Sequence, residues 1–160
     1  MMKSLVIYES AFGNTEAIAF AIRDALLQYG EATAYKTGEF NPAHLSAYDL
    51  IVAGSPTQKF NMLPGMRTFL DAIPPGALAG RQVAAFDTRI DIHKVNNRFL
   101  TFMVKLFGYA AAPIARKLKK KGGKLRQDPA GFFVDDTRGP LTEGELIRAG
   151  KWAAGLADKG

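Results

Sequence analysis

The chain has 160 residues, 48% of them hydrophobic and 22% charged, and contains no cysteine. That length suits one domain, residues 1–160, around a sizeable core, and the balance is that of a globular protein, not a disordered one. Without cysteine there is no disulfide, no thiol catalysis and no cysteine-ligated metal or iron–sulfur centre, so any electron traffic needs a bound organic cofactor. The net charge of +6 is local: residues 116–126, RKLKKKGGKLR, hold seven Lys or Arg and no acid, and the rest is nearly neutral. A solvated helix face and C-terminus explains that run, since cations suit the helix dipole there; docking of an acidic partner, nucleic acid or anionic lipid is the other reading. The run has no interleaved aromatics, so nucleic acid is not expected. No apolar run approaches the roughly 18 residues of a spanning helix, and the start carries too short an apolar stretch for a secretory signal, so a cytoplasmic location is expected.

In chain order, residues 3–8 form a short apolar run expected to be a buried strand. Apolar positions 18, 21, 22, 25, 26 and 29 then make a helical stripe that Gly30 closes. Residues 32–35 give a weak second strand, and Asn41-Pro42 a turn. Residues 49–54, DLIVAG, form a third strand. Pro64 opens a helix with Met66, Phe69, Leu70 and Ile73 on one side, and Pro74-Pro75-Gly76 ends it. Residues 82–86 form a fourth strand. A helix from Pro113 to Lys121 stops at Gly122-Gly123, and residues 131–134, GFFV, form a fifth strand. Thr142-Glu143-Gly144-Glu145 reads as a capping box opening a last helix that carries Leu146, Ala149, Trp152, Ala153 and Leu156, with Trp152 in the core. Alternating strands and helices, without polar alternation in the strands, predict a doubly wound five-stranded parallel sheet covered on both faces.

Ligands of such sheets sit beyond the strand carboxyl ends. Three loops meet there: residues 9–14, 55–63 and 87–95. The first supplies hydroxyls (Ser10, Thr15), an amide (Asn14), a flexible Gly13 and the N–H groups of a helix start, a set suited to an anion. It has no Lys or Arg, and neither a Walker nor a dinucleotide glycine pattern is present, which argues against triphosphate hydrolysis. A helix cap formed by Asn14 is the plainer reading. Likewise Ser55–Thr57 reads as a proline turn or a ligand wall, Arg89 and Asp91 as a surface pair or a polar edge, and Phe60 as packing or a ring partner. His44 and His93 lack metal-ligand spacing, and no nucleophile elbow surrounds Ser55.

The stretch SAFGNT after the first strand resembles the phosphate loop of flavodoxins, roughly [ST]-x-T-G-x-T. Gly54-Ser55-Pro56-Thr57, Phe86-Asp87-Thr88-Arg89 and Gly131-Phe132-Phe133-Val134 are similar to other segments of bacterial flavodoxin-domain proteins. The resemblance implies a flavodoxin-like α/β fold with strand order 2-1-3-4-5, noncovalent FMN, and redox chemistry at the flavin ring. It places Ser10, Gly13, Asn14 and Thr15 at the phosphate, with Phe12 where the family often has threonine, offering a backbone N–H alone. Pro56 and Thr57 would line the ring or ribityl chain, and Thr88, Arg89 and Asp91 the ring's polar edge. Phe60 is the one aromatic of the second and third loops able to cover the ring. An electron carrier serving a redox partner protein or a small-molecule acceptor is the first expectation. The alternatives are a flavin-dependent oxidase or quinone reductase, similar to the flavodoxin-type protoporphyrinogen oxidases, and a flavin-free binding module.

Residues 90–109, IDIHKVNNRFLTFMVKLFGY, are long for a connection and apolar on nearly all sides. Burial against the flavin as a lid, or a homodimer contact through residues 95–109, is expected first. Apolar insertion together with the basic run makes membrane-surface contact the second expectation.

Overall fold

The computed structural model describes residues 1–158. Strand β1 (Met2–Tyr8) lies between β2 (Gly30–Lys36) and β3 (Leu50–Pro56), and β4 (Gln82–Ile90) continues the sheet beyond β3. The fifth position is shared. Strand β5 (Lys124–Leu125) lies beside the start of β4 and β6 (Ala130–Val134) beside its end. These pairings are all parallel. The expected order 2-1-3-4-5 therefore holds, with its fifth strand broken. The Arg126 N–H still reaches the Val83 carbonyl. Gln127 then turns away to donate to the Trp152 carbonyl, and Pro129 brings no N–H to the ladder.

Alternation along the strands divides the core. Leu5, Ile7, Ile51, Ala53, Val83 and Ala85 face α2 (Pro64–Asp71) and α4 (Ala111–Lys120), packing on Met66, Phe69, Ile114 and Leu118. Val6, Tyr8, Val52, Ala84 and Phe86 face α1 (Asn14–Leu26) and α5 (Glu145–Ala157), packing on Ile18, Ile22, Ala149 and Ala153. The Trp152 ring sits edge-on to Phe86 and Phe132, as core packing requires. Both faces are covered, which is why the strands lack polar alternation. Helix α3 (Arg98–Phe107) stands outside both layers, with no buried residue.

Several boundaries differ from the sequence expectation. Gly30 opens β2 and does not close α1, because Met2 pairs with it at the sheet edge. β4 runs on to Ile90, since β6 pairs with it through that residue, so Asp87, Thr88 and Arg89 are strand residues. No capping box forms at α5. Gly144 is the N-cap in the left-handed region, the Thr142 hydroxyl donates to Asp135, and the Glu145 carboxylate accepts from the Phe133 N–H. Leu146 points to solvent. Part of the basic run is engaged within the fold. Lys117 pairs with Asp71, the Lys121 ammonium donates to the Asp71 carbonyl, and the Leu78 N–H donates to the Lys121 carbonyl. The Arg126 guanidinium is spent on the carbonyls of Leu156 and Asp158.

Candidate functional site

The carboxyl ends of β1, β3 and β4 open onto a cavity of about 410 Å³, within the usual span of small-molecule sites. Phe12, Asn14, Thr15, Pro56, Thr57, Thr88 and Arg89 all line it. Of the other positions named from sequence, Ser10 and Gly13 shape its first wall from behind. Phe60 and Asp91 are not among its lining residues.

The first wall is the turn into α1. Gly13 is the N-cap at φ 90°, a conformation other residues adopt at a cost. The Ser10 hydroxyl accepts from the N–H groups of Gly13 (3.1 Å) and Glu16 (3.3 Å), so it holds the turn. Asn14 does not cap the helix; its amide donates to the Arg138 carbonyl at 3.2 Å, tying this turn to the loop after β6. The N–H groups of Asn14 and Thr15 have no acceptor within the helix. Among the described residues neither they nor the Phe12 N–H donate elsewhere. They lie at the start of α1, where the helix dipole favours an anion. The buried Thr15 hydroxyl shares a hydrogen bond of 2.7 Å with that of Thr88.

The second wall follows β3. The buried Ser55 hydroxyl accepts from the Leu63 N–H at 2.9 Å and pulls the loop closed. Gln58 and Asn61 exchange backbone hydrogen bonds across a two-residue turn, with Lys59 at φ 50° and Phe60 at φ 64°. Two residues with side chains in the left-handed region are a local strain of the kind that gathers at functional sites. The Phe60 ring, turned outward, meets Phe107 of α3 at 5.9 Å.

The third wall is β4 itself. Arg89 does not pair with Asp91. Its guanidinium forks onto Asp87, with both hydrogen bonds at 2.6 Å, and the fully buried Asp87 also accepts from the Ala111 N–H at 3.0 Å. Burial pushes the Asp87 carboxyl above its usual range, against the downward pull of Arg89 and that N–H. The Tyr109 ring covers the guanidinium at 3.6 Å, and burial raises the Tyr109 phenol. Gly131 of β6 leaves room for this arrangement, because any Cβ there would run into the Arg89 side chain. Asp91 instead accepts from the His93 N–H at 2.9 Å in the turn after β4.

Thr57, Lys59, Arg89 and Ile90 also border a second, smaller pocket of about 170 Å³, roofed by Leu100, Val104 and Tyr109. The sequence reading did not reach Gln58, Lys59, Ile90, Val134 and Thr137 of the main cavity. Val134 ends β6, and Thr137 belongs to a fourth loop, Asp135-Asp136-Thr137-Arg138-Gly139, which follows that recognised strand at the same sheet edge. That position was the available signal. Among the described residues no three His, Asp or Glu side chains group as a metal site.

The fold and this edge define an α/β domain with a cavity at the strand carboxyl ends that is rich in hydrogen-bond donors. The Flavodoxin domain family matches residues 5–134, and the chain belongs to that family, one of flavoproteins. It is similar in structure to Flavodoxin 2 of Bacillus cereus (TM-score 0.78, 24% identity, 99% of each chain covered). It is also similar to a flavodoxin from the domain Archaea (TM-score 0.76, 23% identity, covering 99% of this chain and 98% of that one). These two likenesses bear on the fold. A curated relative, NAD(P)H dehydrogenase (quinone) 3 of Rhizobium meliloti, is 35% identical over 44% of this chain; the chain spans 43% of that relative's length.

Proposed function

We propose that residues 1–160 act as one FMN-binding domain of the cytoplasm that carries electrons to a redox partner. The observation that carries this reading is that Phe12, Asn14 and Thr15 after β1, Pro56 and Thr57 at the end of β3, and Thr88 and Arg89 at the end of β4 border one cavity. The donor set fits FMN. The Phe12, Asn14 and Thr15 N–H groups and the Thr15 hydroxyl would hold a phosphate without a cation in the turn itself. Thr57 presents a hydroxyl, the Thr88 hydroxyl backs that of Thr15, and Arg89 presents a cation already half-neutralised by Asp87. FMN, when bound, supplies the electron transfer at its ring, while the chain binds it, orients it and sets its polar surroundings.

The second pocket favours a second reading. An apolar recess sharing Thr57, Lys59, Arg89 and Ile90 with the main cavity is suited to a small flat acceptor, as a flavin-dependent oxidase or quinone reductase requires. Purified protein carrying the visible absorption of a bound flavin supports both readings. A colourless protein that takes up no added FMN excludes both. Stepwise reductive titration then separates them: two resolved one-electron steps favour the carrier, and a single two-electron step with turnover of an added quinone favours the oxidoreductase.

A further inference from the structure

Helix α3 shows three stripes at its 100° spacing. Leu100 and Val104 are part-buried and line the smaller pocket together with Thr57, Ile92 and Tyr109. Phe99, Phe102, Met103 and Leu106 form the neighbouring stripe. Phe99 is 69% exposed, Phe102 60% and Leu106 62%, and beside them Phe107 is 58% exposed. Arg98, Thr101 and Lys105 make the polar stripe that borders it. The apolar arc therefore faces solvent with cations along one margin.

We propose that this face of α3 docks on an anionic lipid surface, with Phe99, Phe102 and Leu106 entering the headgroup–acyl boundary and Arg98 and Lys105 at phosphate level. Charge selects the partner. From residue 92 to residue 127 there is no Asp or Glu, against ten Lys or Arg. Among the described residues, Lys59, Arg98, Lys105 and Arg116 enter no ion pair. Lys59 and Arg116 border a surface depression shared with Phe60 and Phe107, so they extend the cationic margin around the end of α3. A second copy of the chain would bring the same acid-free surface to the contact, and like charges would oppose it.

Size points the same way. At about 200 Å² for a large side chain, the four exposed ones present on the order of 500 Å². A stable protein interface takes roughly 800 Å² from each partner and shape complementarity besides. A lipid surface needs neither, and an apolar arc edged by Lys and Arg is what an interfacial helix brings to it. Of the basic run 116–126, Arg116 alone adjoins this surface; the rest lies along α4 and beyond. The inference stands whether or not FMN is bound.

The test is cosedimentation of the full chain with vesicles of equal parts phosphatidylcholine and phosphatidylglycerol, and with vesicles of phosphatidylcholine alone. Binding to the anionic vesicles is expected, weakened about tenfold or more in molar salt, where the screening length falls to roughly 3 Å. The pair Phe102→Ser with Leu106→Ser should abolish it, and Arg98→Gln with Lys105→Gln should reduce it several-fold. All four side chains are outside the core, so circular dichroism should not change. Phe102→Trp adds a reporter to the half-buried Trp152: bromine in the acyl chains should quench the new fluorescence and spare the old. No binding to anionic vesicles, or quenching of neither tryptophan, overturns the proposal. So does a concentration-dependent dimer in lipid-free sedimentation that the Phe102→Ser and Leu106→Ser pair abolishes, which would assign the face to a second copy.

Discussion

The hydroxyls of Thr15 and Thr88, 73 residues apart, share one buried hydrogen bond of 2.7 Å. It joins the helix that starts after β1 to the end of β4, and so fixes two walls of the cavity against each other. Thr15→Val keeps the shape and removes the hydroxyl. It leaves Thr88 short of a buried partner, at about 1–2 kcal/mol. FMN should bind about tenfold more weakly, and riboflavin, which has no phosphate, clearly less so. Parallel titrations of the two flavins decide the matter; equal losses would move the phosphate away from this turn.

Arg89 is expected to matter more to the fold than its place on the cavity wall suggests. Arg89→Met strands the carboxylate of Asp87, which is wholly buried, and removing one partner of such a pair costs about 3–5 kcal/mol. The sign with pH follows from the direction of the shift. Burial already raises Asp87, and losing the guanidinium raises it further, so the folded variant binds its proton more readily than the unfolded chain. The variant should therefore be most stable in acid and lose stability as pH rises through the raised value. Urea unfolding at acidic and neutral pH measures this, and Asp87→Asn in the same chain should recover part of the loss.

Much of this was legible in the sequence because the strands are short apolar runs that end in small or polar residues. SAFGNT and Pro56, the last residue of β3, mark their places at the strand ends without help from tertiary contacts. What was not legible depended on pairing. Asp87, Thr88 and Arg89 read as a loop because nothing local shows that β6 will extend β4 past Phe86. Once in a strand, Asp87 and Arg89 fall on the α4 face and Thr88 on the α1 face, which gives Arg89 to Asp87 and not to Asp91. Thr142-Glu143-Gly144-Glu145 matched a capping box, but Glu145 had a stronger offer from the Phe133 N–H and Arg148. Helix α3 was visible as apolar; its lack of any buried side chain was not.

Glu145 should anchor the start of α5 in a pH-dependent way. Burial pushes its carboxyl up, but the Arg148 fork and the Phe133 N–H outweigh that and hold it below its usual range. A depressed folded value stabilises the fold above the ordinary carboxylate range and loses that stabilisation as pH falls through it. Glu145→Gln should cost about 1–2 kcal/mol at neutral pH and much less in acid, where the native carboxyl is also neutral. Thermal unfolding of both proteins across that range should show the two curves converging on the acid side; a constant gap would assign the loss to packing alone.

Phe12 occupies the position where the family often has threonine, and the structure gives it a different role. Its ring carries the Arg138 guanidinium at 5.4 Å, while the Arg138 carbonyl accepts from the Asn14 amide. The fourth loop is thus pinned to the turn at two points. The expectation is that the guanidinium on the Phe12 ring adds a positive charge to a turn that has none of its own. Arg138→Gln should weaken FMN several-fold at low salt and hardly at all at high salt, where a surface charge is screened. Riboflavin binding should barely change. Phe12→Thr should remove the seat for Arg138 and restore the hydroxyl, so its FMN affinity should depend less on salt than that of the native chain. Calorimetric titration over a salt series checks both variants. If Arg138→Gln keeps the native salt slope, the guanidinium does not reach the phosphate.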